Sequence, residues 1–265
     1  MPAHYGPWAA LLTGPLCRSL RFDATRNRFV KSGKSFAGLT AVLAKCWPRP
    51  VKHSVATCAF CKQRRRGAKL AASSTSRGKQ VVGLLKPKGK RSTLMMPRQH
   101  GSLVDEEIAA WTVGGARAVP HPNAVTRALI LYMTETRGWR PVAAQVPVLL
   151  PFLGRRATAI DLLCTDVATQ TQRILIEVKS TQGVGRDACY RAEPPRNGAA
   201  GVPRSAWARD QLQLWAMDRA LRMDGSLHVD EAVVLRASPA GVRCYALDRE
   251  AWDEKADKLM RAMHK

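Results

Sequence analysis

Two apolar runs in the middle of the chain are interrupted by charge: Ile160-Asp161-Leu162-Leu163, and Ile174-Leu175-Ile176-Glu177-Val178 with Lys179 behind it. Branched aliphatic residues suit a sheet, and the Thr/Gln-rich segment Thr169 to Gln172 between the runs suits a turn, so the pair predicts a β-hairpin. Period-2 alternation puts Glu177 and Lys179 on one face of their strand and Val178 on the other. Asp161 can sit opposite them. Charged groups inside such runs are costly to bury unless paired or coordinated.

The pattern on either side predicts the rest of an α/β unit. Ser102 to Asp105 fits a helix start, and Leu103, Val104, Ile108, Trp111 and Val113 give a short amphipathic helix that Gly114-Gly115 ends. Asn123 is placed to cap a second helix reaching Glu135, closed by Gly138. Gln145 to Leu150 reads as a strand leading into the Asp161 strand. Beyond Lys179, the turn-rich stretch Gln182 to Pro203 predicts a long connection, a mobile lid or an insertion. Ser205 starts a helix that runs to about Met223. Glu231 to Ala237 and Val242 to Leu247 form a second hairpin around Ser238-Pro239-Ala240-Gly241. Arg249 to His264 forms a last helix with Trp252, Ala256, Leu259 and Met260 as its buried stripe.

Asp161 and Glu177 are hard oxygen ligands of the kind that hold Mg²⁺ or Mn²⁺ while leaving positions for water and a phosphate oxygen. A metal there would lower the pKa of bound water and offset charge building at phosphorus. Lys179 can orient that water or stabilise the developing charge. The residue types therefore suit phosphodiester hydrolysis. They also fit a plainer role, with Asp161 capping a strand end and Glu177 and Lys179 on the wet face of an edge strand.

Asp161 followed by Glu177-Val178-Lys179 after a hairpin, with helices and a second strand pair in this order, resembles the PD-(D/E)XK nuclease superfamily. Ile160 stands where the family's name has proline. Gln211-Leu212-Gln213-Leu214-Trp215 resembles the Q-x-x-x-Y helix motif of the RecB-like exonuclease branch, with Trp215 in the tyrosine position. The i, i+4 spacing puts Gln211 and Trp215 on one helix face, the first within reach of a metal-bound water or DNA and the second packing or stacking. The resemblance covers roughly residues 102 to 265 and implies a restriction-endonuclease-like core, a mixed sheet flanked by helices. It implies Asp161, Glu177, Lys179 and Gln211 as catalytic residues, Asp161 and Glu177 as metal ligands, and DNA as substrate. In the family the helix before the sheet often adds a glutamate, for which Glu135 is the candidate, although an exposed helix end suits it as well. Exonuclease action is the expected mode; an endonuclease and a non-catalytic nucleic-acid-binding protein are the alternatives.

Charge changes the picture at the other end of the chain. Of the net +23, residues 1–100 carry +20, from 21 Lys and Arg against the single acid Asp23. Such composition predicts a mostly disordered basic extension, distinct from the folded unit 101–265 and serving targeting or nucleic-acid binding. Arg18, Arg21, Arg26, Arg28, Lys31 and Lys34 among Ser and Thr resemble a mitochondrial transit peptide, and Lys86 to Arg91 equally suits a nuclear signal. No apolar run is long enough to span a membrane. Cys58-x-x-Cys61 with Cys46 and His53 is a weak zinc pattern. In the 182–203 connection and just after it, Arg186, Arg191, Arg196 and Arg204 would hold phosphate if they faced the site, and would be solvated charges otherwise.

Overall fold

A computed structural model describes residues 8, 11–12, 14–23, 28–39, 43, 97–154, 156–180, 206–223 and 228–263, without the side chains of 97, 98 and 257–263. Within them the chain is a mixed α/β fold, with eight strands in one mixed sheet and four helices of eight residues or more. Three strands come from the N-terminal segment: β1 (Arg21–Asp23), β2 (Arg28–Lys31) and β3 (Lys34–Gly38). Helix α1 (Pro97–Gly114) and helix α2 (Ala124–Leu131) precede β4 (Trp139–Leu149), β5 (Arg156–Asp166) and β6 (Arg173–Ser180). Then come α3 (Ala206–Met223), β7 (Glu231–Ser238), β8 (Gly241–Ala246) and α4 (Arg249–Met263).

The strands run β1-β2-β3-β5-β6-β7-β8, with β4 on the other side of β5. The pairs β5/β6, β4/β5 and β7/β8 are antiparallel, while β6/β7 and β3/β5 are parallel. A parallel neighbour needs a crossover, and α3 supplies it between β6 and β7. Alternation sorts the buried residues onto two faces. Leu175, Ala232 and Val234 pack with Leu214, Met217 and Leu221 of α3. Ile174, Ile176, Val178, Val233 and Leu235 pack with Val104 and Ile108 of α1 and Val125 and Leu129 of α2.

The division of the chain at residue 100 does not match the packing. Trp8 is fully buried in the α3-side cluster with Leu11, Leu16 and Cys17, and its Nε1 donates to the Cys164 carbonyl at 2.8 Å. Leu39 and Leu43 join a second cluster with Leu212, Trp215 and Trp252. Phe29 and Leu20 cover Ala157. The expectation of disorder rests on charge, but the described cations point outward from a ribbon whose few apolar residues reach the core. Lys31 and Lys34 flank a two-residue turn in which Ser32 has φ 49° and Gly33 φ 75°, the left-handed pair that a type I′ hairpin requires.

Other boundaries shift for local reasons. Helix α1 begins at Pro97, not at Ser102. The strand expected from Gln145 starts at Trp139, because Pro141 sits at a register shift where no ladder bond is demanded of it. Asn123 caps α2 as expected, its side chain accepting from the Val125 and Thr126 N–H groups, and Glu107 of α1 accepts from Asn123 Nδ2 at 2.6 Å. After Leu131 that helix widens into a π-turn, Tyr132–Thr136, before Gly138 turns the chain at φ 63°. No helix among the described residues is long and apolar enough to cross a membrane.

Candidate active site

The site is built where two paired strands part. Strands β5 and β6 are in register from Thr165↔Arg173 to Leu162↔Ile176, and there the pairing stops. One step further, Asp161 and Glu177 would face each other across the ladder. Instead the Asp161 carboxylate takes the backbone N–H of Val178 at 2.8 Å. Strand β6 continues beside β7 through Ser180, so it leaves β5 and opens a fork with Asp161 at its base.

Glu177 and Lys179 share the parity of Leu175 and so point to the α3 side. Glu177 is 0% exposed. One of its oxygens, Oε1, accepts from Lys179 Nζ; the other, Oε2, is buried without a hydrogen-bond partner. Burial pushes the Glu177 carboxyl well above its ordinary pKa, and the neighbouring Asp161 pushes it further, against the pull of Lys179. Asp161 is raised by burial too, with Lys179, the Val178 N–H and Gln145 opposing. Burial works against the Lys179 charge, yet Glu177, Asp210 and Asp161 together hold its pKa above the usual lysine value. Among the described residues these three carboxylates share one ammonium, Lys179, and Asp210 also takes Arg209 at 3.3 Å.

Gln211 lies on the first part of α3, fully buried, and both its amide oxygen and its nitrogen lack a hydrogen-bond partner. A buried amide in that state is destabilising by about 1–3 kcal/mol per group unless something satisfies it. Asp161, Glu177 and Lys179 are therefore brought together, and Gln211 follows Asp210, whose charge reaches all three. Glu135 is not among them: it is exposed on the π-turn. Trp215, which the motif offered for packing or stacking, is enclosed by protein. It is buried edge-on against Phe152, 5.7 Å between ring centroids, and its Nε1 donates to Asp253 at 2.7 Å. One turn along the helix from Gln211, it faces the second cluster and serves as core. Arg186, Arg191, Arg196 and Arg204 lie outside the described residues, as do Cys46, His53, Cys58 and Cys61.

Three further residues join the site. Asp105, on α1, is close enough to feel Asp161 and Lys179; burial first and then Asp161 push its pKa up to about 7, with Lys179 opposing and Glu106 adding. A Cβ on Gly101, one turn earlier, would lie 3.8 Å from Ser180 Oγ, which sets this part of α1 against the end of β6. Asp210, buried beside Gln211, acts on Asp161, Glu177 and Lys179 by charge and takes a long contact from Arg209 at 3.3 Å. Gln145 stands opposite Asp161 between the pairs Ala144↔Leu162 and Val146↔Ile160, and its amide reaches Asp161 at 3.4 Å. Its φ of 50° is rare for a residue with a side chain, and such strain collects at functional sites. At this point the sheet changes face, since Ala144 packs on the α1 side and Val146 on the α3 side.

Among the described residues no three His, Cys, Asp or Glu side chains converge as a complete metal cage. A Mg²⁺ that keeps water and phosphate in its shell needs only one or two carboxylates. The orphaned Glu177 Oε2 beside Asp161, with carboxylates in excess over Lys179 among the described residues, fits that open kind of site. No protein-family profile matches the chain, and no curated protein matches it.

Proposed function

We propose that this protein is a Mg²⁺-dependent deoxyribonuclease built on a restriction-endonuclease-like core. The observation that carries the reading is the fork between β5 and β6, where Asp161, Lys179 and the unsatisfied oxygen of Glu177 meet. Asp161 and Glu177 would hold the metal, which supplies an activated water and charge neutralisation at phosphorus. Lys179 presents an ammonium whose proton is held firmly by three carboxylates, which suits it to stabilise negative charge and not to act as a base. Gln211, next to Asp210 and with both polar atoms of its amide unpartnered, could donate to and accept from a water. Asp105 and Asp210 add negative potential that favours a cation. Exonuclease action is the preferred mode, through the likeness of Gln211 and its helix to the RecB-like branch. A mitochondrial address in the basic N-terminal residues would be compatible with this fold only if cleavage spared Trp8, Leu11, Leu16 and Cys17, because those residues fill the core.

The test is digestion of linear and covalently closed circular DNA by the whole chain, in Mg²⁺ and in EDTA, beside Lys179→Ala. Metal-dependent loss of linear DNA alone, absent in the variant, is the expected result. Cutting of closed circles would make it an endonuclease. A folded protein inert on every DNA, with or without metal, would overturn the nuclease reading.

A further inference from the structure

Lateral neighbours in a sheet point to the same face, and on strands β6, β7 and β8 this lines up three cations. Lys179 pairs with Arg236, and Arg236 pairs with Arg243. The row one pleat repeat away, Glu177, Val234 and Tyr245, fixes the face, because Val234 and Tyr245 both pack in the α3-side cluster. The cations therefore lie on the face that carries the candidate site, one step beyond Glu177 toward the ends of β6 and β7. Helix α3 begins near that end, since Asp210 in its first turns acts by charge on Lys179. At about 4.8 Å per strand, the row runs about 10 Å from Lys179 to β8. Strand β8 ends the sheet on this side among the described residues.

Exposure and charge change along the row. At its inner end Lys179 is 27% exposed and engaged by Glu177, with Asp210 and Asp161 acting on it. Arg236 is half-buried and Arg243 is exposed. Their neighbours on the same face along β7 and β8 are Val234, Ser238, Gly241 and Tyr245, none of them acidic. Like charges directly opposite each other on neighbouring strands are unfavourable, and an anion lying along the row would relieve the repulsion. Both arginines also interact within the protein, but the five N–H donors of a guanidinium exceed what one partner takes. That planar fork matches phosphate. One strand of a duplex carries a charge every 3.4 Å of helix axis, so about 10 Å presents about three phosphates. A nucleic acid suits the row better than an acidic protein segment, because the row starts at the residue that would stabilise charge at the scissile phosphorus.

We propose that Arg236 and Arg243 form a phosphate track on the α3 face, leading the backbone of a nucleic-acid strand from Lys179 to the β8 edge. The proposal rests on the nuclease reading for the fate of the strand at Asp161 and Glu177, but not for the binding itself.

The experiment compares the whole chain with Arg236→Gln/Arg243→Gln, using a fluorescein-labelled 20-nucleotide single strand and the matching blunt duplex in EDTA across a salt series. Arg127→Gln/Arg140→Gln, exposed on α2 and on β4, removes the same charge away from the row. The expected result for the row variant is about tenfold weaker binding near 0.15 M salt, with the salt slope lowered by about 0.7 per lost contact on single strands and about 0.9 on duplex. Arg243→Glu alone should shift both quantities the same way, and it serves if the change at half-buried Arg236 unfolds the protein. A parent that binds neither DNA, unchanged affinity and slope in folded row variants, or an equal loss in Arg127→Gln/Arg140→Gln overturns the proposal. Cleavage in Mg²⁺ separates the two readings. Row variants that bind and cut like the parent leave the nuclease standing without this track. A parent that never cuts, with row variants that bind poorly, leaves the track standing without the nuclease.

Discussion

Helix α3 buries two acidic settings about two turns apart, and they are finished differently. Asp218 is 0% exposed and fully answered: Arg222 donates to it at 2.8 Å and Arg249 at 3.0 Å, and the same Arg222 reaches Asp253, which also receives Trp215. At the other setting Glu177, equally buried, has one oxygen on Lys179 and one on nothing, with further carboxylates at Asp161 and Asp210, and the Gln211 amide that follows Asp210 also lacks a partner. A buried charge that serves the fold is surrounded until it is satisfied. One left open, next to other acids, weakens the fold and is retained when something else is to fill it.

The contrast is broken or sharpened most strongly at Glu177. Glu177→Gln keeps the shape, removes a carboxylate from an acid-crowded place and leaves Lys179, 27% exposed, with Asp161 and Asp210 for company. Mg²⁺-dependent cleavage should fall by about 10²–10³-fold or more, the scale of losing one group that stabilises the transition state electrostatically. The melting temperature in EDTA should hold or rise. A clear fall in melting temperature would make Glu177–Lys179 a structural pair like Asp218's.

Asp218→Asn should do the reverse. Removing one partner of a buried ion pair costs about 3–5 kcal/mol. The lower end applies here, because Arg222 and Arg249 are 32% and 30% exposed and can turn toward water. Chemical denaturation should show this loss while the rate per folded molecule stays near that of the parent. The N-terminal segment offers a parallel case: Trp8→Ala should destabilise by about 3–5 kcal/mol, the range for truncating a buried aromatic. An unchanged denaturation midpoint would detach residues 8–43 from the core.

The same physics sets how much of this is legible in the chain. The Asp161 and Glu177-x-Lys179 hairpin is legible because alternation is strict there and charge stands out in an aliphatic run. The Asn123 cap and the span of α3 are legible for similar reasons. Asp105 and Asp210 are not, since an acid near a helix start or beside an arginine has the appearance of a solvated charge, and only the packing of α1 and α3 on the sheet turns these toward Lys179. Glu135, exposed on the π-turn, is not among the acids whose charge reaches Lys179. In the first hundred residues the cations hide a weak apolar pattern. Trp8, Leu11, Leu16, Leu20 and Phe29 are too widely spaced to suggest a core, though Ser32-Gly33 between Lys31 and Lys34 is a usable turn signal.

A smaller effect lies in pH. The folded Asp105 carboxyl titrates near 7 while the unfolded one keeps its ordinary value near 3.8, so between these values the native state holds a proton that the unfolded state has lost. The contribution of Asp105 to stability in EDTA should therefore be greatest below about pH 4, decline as pH rises toward about 7, and level off beyond. Asp105→Asn should flatten part of that decline, by about 1–2 kcal/mol after allowance for solvent screening at a partly exposed group. An unchanged pH profile would place Asp105 in ordinary solvent.

An effect of similar size on stability, and none on function, is expected at Trp215, where the satisfied setting and the second cluster meet. Trp215→Phe keeps a ring against Phe152 and removes the Nε1–H that Asp253 accepts at 2.7 Å. A hydrogen bond to a carboxylate contributes about 1.5–3 kcal/mol, and Asp253 retains Arg222, so the loss should sit near the lower figure. Oligonucleotide affinity and cleavage rate should not move, because the ring that would stack on a base is enclosed by protein. A tenfold loss of DNA affinity with stability intact would mean that this end of α3 opens in solution, and that Trp215 works beside Gln211 as their i, i+4 spacing suggests.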